Sequence, residues 1–284
     1  MKRIASGLPW WAKMAVKIVL ARVPIQYQTW RRLGGFVHGT MDTPTYAYTV
    51  FNRHHGLASP PAGFTMLEFG PGDSAASALI ARAFGAVAVW LVDVGDFATK
   101  DMEVYRQVAA ALSAAGYPLN VNLSNFDQML ASCNANYLTN GLEGLKSIPG
   151  DSVDFLWSQA VLEHVRKAKL PATFDQFRRI LHANGSSTHR VDFKDHLGGG
   201  LNNLRFSERT WESRLMSRSG FYTNRVRLHE LTTMMESAGF TVDVMDVERW
   251  EKLPILRKHL APAFSGLTDE ELLISSAMIR LRPC

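Results

Sequence analysis

Cysteine is nearly missing from this chain. Only Cys133 and Cys284 occur among 284 residues, too few for a disulfide scaffold, which needs several closely spaced pairs. That usage points to a reducing, cytoplasmic setting. Long apolar runs are missing too. The most membrane-like stretch, residues 8–25, is interrupted by Lys13, Lys17 and Arg22, so it falls short of the roughly 20 apolar residues of a membrane span. The same lysines break the apolar stretch that a signal peptide needs. No internal repeat and no low-complexity tract is found. With 46% hydrophobic and 20% charged residues, the composition excludes a disordered chain and fits a globular protein with a sizeable core.

Acid is scarce at one end. Residues 1–60 hold Lys2, Arg3, Lys13, Lys17, Arg22, Arg31, Arg32 and Arg53 against Asp42 alone, while the remainder is slightly acidic. A basic arm of this kind suits nucleic acid, anionic lipid or a phosphorylated substrate. Trp10 and Trp11 inside it fit a helix lying peripherally on an anionic membrane. The simpler reading, which the sequence favours, is a helix covering one edge of the core. Residues 26–58 read as short helices and loops over the functional face. Ser59-Pro60-Pro61-Ala62-Gly63 then punctuates the chain. The expected organisation is a basic N-terminal helical extension, 1–63, followed by one domain over 64–284.

From Phe64 onward, apolar runs alternate with helical patterns. Strands are expected over 64–69, 86–94, 135–139, 152–158, 186–193, 241–247 and 274–281. Helices are expected over 73–84, 97–115, 171–183 and 228–239. This alternation predicts an α/β fold: a doubly wound, mostly parallel seven-stranded sheet covered on both faces. Residues 197–227 form an insertion before the last strands.

In such sheets a ligand binds beyond the carboxyl ends of the strands, at the switch point of strand order. The first strand runs into Glu68-Phe69-Gly70-Pro71-Gly72. Gly70 and Gly72 permit a tight turn and close approach of a ligand to the backbone. The following helix aims free N–H groups at the same place. Asp93 ends the second strand, where a carboxylate can accept both hydroxyls of a ribose. These features suit a dinucleotide or an adenosyl cofactor.

With these residues in place, the chain resembles the class I S-adenosylmethionine-dependent methyltransferases. Glu68-x-Gly70-x-Gly72 is similar to their first motif and Asp93 to their ribose-binding acid. Residues 151–158, followed by Gln159-Ala160-Val161-Leu162-Glu163-His164-Val165, resemble their fourth-strand motif. Residues 177–185 resemble the helix and turn entering their fifth strand, with Asn184-Gly185 replacing part of a Pro-Gly-Gly turn. The resemblance covers about 64–284. It implies a Rossmann-like fold, S-adenosyl-L-methionine as cofactor, and cofactor contacts from Glu68, Gly70, Gly72, Asp93, Ser158, Gln159 and Glu163. An acid usually meets the adenine after the third strand. Here Asn140 takes that place, since Asp127 lies too far upstream. A nicotinamide cofactor is disfavoured, because the chain has no Tyr-x-x-x-Lys pair and because the motif after the fourth strand favours the adenosyl cofactor.

The expected reaction is O-methylation of a small-molecule, glycan or lipid-linked acceptor. A neutral hydroxyl needs a proton acceptor. The candidates follow the fifth strand: His189 first, oriented by Asp192 or Asp195, and His196 second. The same His-x-x-Asp-x-x-Asp-His run could hold a divalent metal, but its spacing fits no established motif and none is expected. In the insertion, Gly198-Gly199-Gly200 followed by aromatics and arginines reads as a substrate lid. Tyr222, Arg225 and Arg227 are its candidate acceptor contacts, with a structural salt-bridge network as the equal alternative. Nucleic-acid methylation is disfavoured: Ser158-Gln159-Ala160 stands where amino-group methylases carry Asp/Asn/Ser-Pro-Pro-aromatic, and no Pro-Cys nucleophile is present apart from Pro283-Cys284. RNA stays open through the basic arm, as does a non-catalytic binding protein that keeps the fold.

Overall fold

The structure is a computed structural model, and it describes residues 9–20, 22 and 40–284. The expectation of short helices and loops over residues 26–39 lies outside the described residues.

Seven strands form one sheet: β1 Thr65–Phe69, β2 Ala88–Val92, β3 Ala135–Leu138, β4 Val153–Gln159, β5 Leu181–Asp192, β6 Phe240–Arg249 and β7 Ile274–Pro283. Their order is β3-β2-β1-β4-β5-β7-β6. The first five are parallel, and β7 runs antiparallel between β5 and β6. The order reverses between β1 and β4, which places the crevice of the sheet at their carboxyl ends.

The helices are α1 Trp10–Leu20, α2 Pro44–Ala58, α3 Ala76–Ala83, α4 Met102–Ala114, α5 Phe126–Ser132, α6 Leu142–Ser147, α7 Leu170–Ile180, α8 Glu208–Trp211, α9 Arg214–Ser217, α10 Leu228–Ser237 and α11 Asp269–Leu273. Two apolar layers result. On one face, α2 to α5 pack Phe51, Leu79, Tyr105 and Met129 against Met66, Val89, Phe155 and Trp157. On the other, α6, α7 and α10 pack Leu145, Phe174, Phe177 and Leu231 against Leu67, Leu156 and Ile279. Burial on both faces explains why the central strands read as continuous apolar runs.

Three differences from the sequence reading have local causes. The first crossover helix begins at Ala76, not near Asp73, because residues 70–75 are spent on the turn at the strand's end. The next begins at Met102, where the Asp101 carboxylate accepts from the Glu103 N–H as an N-cap. Asn184-Gly185 makes no turn: β5 already starts at Leu181 and passes through the pair with a register irregularity against β4. A Cβ at Gly185 would lie about 3.0 Å from the carbonyl oxygens of His182 and Val153, so that crowded bulge requires glycine.

The insertion over 197–227 is not a loose loop. Asp195 is buried, and its Oδ1 accepts from the N–H groups of Leu197, Gly198 and Gly199. Its Oδ2 accepts from Asn202 N and Nδ2. The triglycine stem is therefore tied down. Beyond it, Leu197, Trp211, Met216, Phe221 and Tyr222 form a separate apolar cluster, and Trp10, Met14 and Ile18 of α1 pack onto it. These three positions lie four residues apart, on one face of the helix. No described helix is long and apolar enough to cross a membrane.

Candidate functional site

The carboxyl ends of β1, β2 and β4 meet around the Gly70–Gly72 turn. Gly70 has φ +85° and Gly72 φ +62°, in the region that side chains disfavour. A Cβ on Gly70 would lie 2.4 Å from Val161 Cγ2, so the turn after β1 and the turn after β4 close on each other only without one. Asp93 stands beside them. Its Oδ2 accepts from Gly72 N at 2.9 Å and its Oδ1 from Val94 N at 2.7 Å. The Asp93 carbonyl accepts from Gly141 N, which holds the loop bearing the exposed Asn140 against it.

Glu68 lies deeper. It is fully buried and accepts a hydrogen bond from the Ser77 hydroxyl on α3. Burial, with a smaller contribution from Asp93, pushes its carboxyl up to about 8. Glu68 therefore ties β1 to the first crossover helix from beneath the turn.

Glu163 sits in the 3-10 turn Leu162–His164 after β4. It is buried, and neither carboxylate oxygen has a side-chain hydrogen-bond partner; only the backbone amides of Glu163 and Asp192 act on it. Burial, with the neighbouring Asp192 charge, pushes it up to about 8. Arg190 on β5 is near, with Nη2 on Glu248 at 3.0 Å and a buried Nη1 that has no partner. Asp192 follows on the same face of β5. Its Oδ1 accepts from Lys194 N at 2.9 Å, and Lys194 Nζ lies 3.6 Å from Oδ2. The His196 imidazole meets His164 edge to face at 4.8 Å between ring centroids, and its carbonyl accepts from Lys17 of α1. Burial first, then the neighbouring His164, pulls His196 down to about 4, so it is neutral at physiological pH. Asp192 and His196 thus lie at the open end of β5, next to the turn that carries Glu163.

His189 is a correction. Its side chain points to the opposite face of β5, stacks on Phe177, and is fully buried. Ser158 Oγ lies 2.7 Å from Nδ1 and Ser187 Oγ 2.7 Å from Nε2. Burial pulls it down to about 3. A ring with both nitrogens engaged inside the core cannot take a proton from an acceptor. The Ser158 hydroxyl is engaged with it. Gln159 is held as well: its Oε1 lies 3.0 Å from His54 Nε2, while His54 Nδ1 meets the Thr188 hydroxyl. Asp195 orients the triglycine stem rather than a histidine.

For the three insertion residues the geometry fits the second of the two readings, a structural network. The Tyr222 hydroxyl donates to Glu212. Arg225 is buried, pairs with Glu208, and donates to the carbonyls of Asn203 and Phe206. Arg227 donates to the carbonyls of Phe193, Glu271, Leu272 and Ile274. Tyr222 and Arg225 tie the insertion to itself and Arg227 ties it to the ends of β5 and β7, leaving only the buried Nε of each arginine without a partner. Arg190 and His54 were missed by the sequence reading. The period-two run Thr188, Arg190, Asp192 was the available signal, since alternate strand residues share a face. Among the described residues, no group of three or more His, Cys, Asp or Glu is arranged to hold a metal ion.

A reversed strand order, an antiparallel seventh strand and a glycine turn closing on a strand-end carboxylate define a class I S-adenosylmethionine-dependent methyltransferase architecture. Residues 46–244 match the family model for a methyltransferase domain, and the chain belongs to that family. Among solved structures, the chain is similar to an S-adenosylmethionine dependent methyltransferase from Mesorhizobium loti, at 15% identity over 81% of this chain and 96% of that one, TM-score 0.45. It is also similar to the YcgJ protein from Bacillus subtilis, at 13% identity over 84% of this chain and 99% of that one, TM-score 0.46. No curated protein gives a significant sequence match.

Proposed function

We propose that the protein transfers a methyl group from S-adenosylmethionine to a hydroxyl of a small-molecule, glycan or lipid-linked acceptor. The observation that carries this reading is the turn that closes only on glycine, with the Asp93 carboxylate bonded to its Gly72 N–H at the end of the second strand. The site fits the cofactor in two respects. Asp93 sets a carboxylate at the end of the second strand, beside the glycine turn, where a ribose hydroxyl is bound in such folds. Glu163 is a buried acid that no side chain partners, which suits the ammonium of an amino-acid moiety. Gly70, Gly72 and Asn140 complete the set.

Bound there, S-adenosylmethionine supplies an electrophilic methyl group. The chain's own task is to hold the acceptor oxygen in line and to take its proton. Asp192, partly open at the end of β5 and steadied by Lys194, is the proton acceptor. A positioned base of this kind contributes about 10²–10⁴ in rate. The neutral His196 and its partner His164 wall the acceptor position.

Calorimetric titration with S-adenosylmethionine tests the reading. The wild type should bind it. Asp93→Ala should weaken binding about tenfold or more, since hydrogen bonds to a charged group contribute about 1.5–3 kcal/mol each. A wild type that is folded but does not bind would overturn it.

A further inference from the structure

Helix α1 has two apolar faces, and only one is used. Trp10, Met14 and Ile18 dock on the insertion. Trp11, Ala15, Val16 and Val19 face outward, with Trp11 59% and Val19 63% exposed. Arg22, one turn beyond Val19, lines a cleft of about 370 Å³ together with Arg214, Leu215, Arg218 and Ser219 of the insertion. Leu215 is also exposed. None of the three arginines pairs with an acid among the described residues. One continuous surface therefore carries an exposed tryptophan, exposed aliphatic side chains and three unneutralised guanidinium groups.

We propose that this surface docks the protein on the anionic face of a phospholipid membrane. Arginines attract the anionic headgroups, and the tryptophan and aliphatic side chains enter the headgroup–acyl boundary. The pattern fits lipid better than RNA. Arginine and Trp11 suit both, but the exposed Val16, Val19 and Leu215 offer no face on which bases stack and fit the acyl boundary. The inner side of the same helix holds the His196 carbonyl through Lys17. Docking would therefore bring the acceptor end of β5 within about one helix diameter, roughly 10 Å, of the bilayer. The inference stands apart from the methyl-transfer reading, because vesicle binding needs no cofactor.

The test is sedimentation of the full chain with two vesicle preparations, phosphatidylcholine alone and equimolar phosphatidylcholine and phosphatidylglycerol. The wild type should sediment with the mixed vesicles only, and added salt should release it. The double variant Arg214→Ala, Arg218→Ala should bind about 25-fold more weakly, taking about a fivefold loss for each basic residue near the surface. Trp11→Ala should weaken binding independently. All variants should keep the wild-type melting temperature, since these side chains are exposed. Failure of the wild type to bind mixed vesicles would overturn the proposal. So would binding that the double variant and Trp11→Ala leave unchanged, or retention of poly(U) RNA without vesicle binding.

Discussion

His189 occupies the place in the sequence where a base is wanted and the place in the fold where none can act. Its two nitrogens bond Ser158 and Ser187, and Phe177 covers its ring. His189→Ala should cost about 2–3 kcal/mol of stability, from two lost hydrogen bonds at about 1 kcal/mol each and the stacked contact. Denaturant unfolding measures that loss. S-adenosylmethionine affinity, read by calorimetry, should stay within a few-fold of wild type. A selective loss of affinity in a stable variant would return His189 to the site. Asp192→Asn makes the contrasting case. It should leave stability and cofactor affinity nearly unchanged and slow transfer by about 10²–10⁴. The difference between these neighbours is the direction in which alternate strand residues point. A sequence gives that alternation but not which set faces the crevice. The glycine turn and Asp93 were legible because their chemistry is local: a strand end, a tight turn and an acid one strand later. For Tyr222, Arg225 and Arg227 the sequence left a substrate role and a structural network equal, because the partners that decide between them, such as Glu212, Glu208 and the Ile274 carbonyl, are set by the fold.

At the scale of elements, the strands were readable because each is a short apolar run bounded by turn residues. Helices α5 and α6 escaped because they span only 7 and 6 residues, too few for a periodic pattern. Helix α2 was read as part of a separate extension, yet Phe51 is fully buried against Phe155 and Trp157 of the sheet. The insertion shows the same logic. Its glycines suggested mobility, but Asp195 fixes the stem and Arg225 the body. Arg225 also has φ +64°, a conformation that costs a non-glycine residue energy and persists because its guanidinium is held at both ends. Arg225→Ala leaves buried carbonyls unpaired and should destabilise the chain by about 1–3 kcal/mol. Hydrogen exchange should show the loss concentrated in residues 201–227. Protection that falls evenly over the sheet would mean the insertion has no separate stability.

The molecule as a whole buries ionisable groups of both kinds, and they set its stability against pH in opposite directions. His54, His189 and His196 are held below the ordinary 6.5, at about 4, 3 and 4, chiefly by burial. Their contribution is complete above 6.5 and is lost as pH falls towards those values, because the unfolded chain takes up protons that the folded chain refuses. Glu68 and Glu163 are held above the ordinary 4.5, at about 8, also chiefly by burial. Their contribution is complete below 4.5 and is lost as pH rises to 8, because the unfolded chain releases protons that the folded chain keeps. Between 4.5 and 6.5 the two trends oppose each other; from 6.5 to 8 only the carboxyls among these groups still act. The ligand-free protein should therefore lose stability through that upper window, and Glu68→Gln, which keeps an acceptor for Ser77 but cannot ionise, should lose less. Calorimetric melting of both proteins from pH 6.5 to 8 measures this. The variant's melting temperature should rise relative to wild type as pH increases. Parallel curves would mean that Glu68 is already ionised in the folded chain, and that Ser77 and the turn above it stabilise a charge rather than a proton.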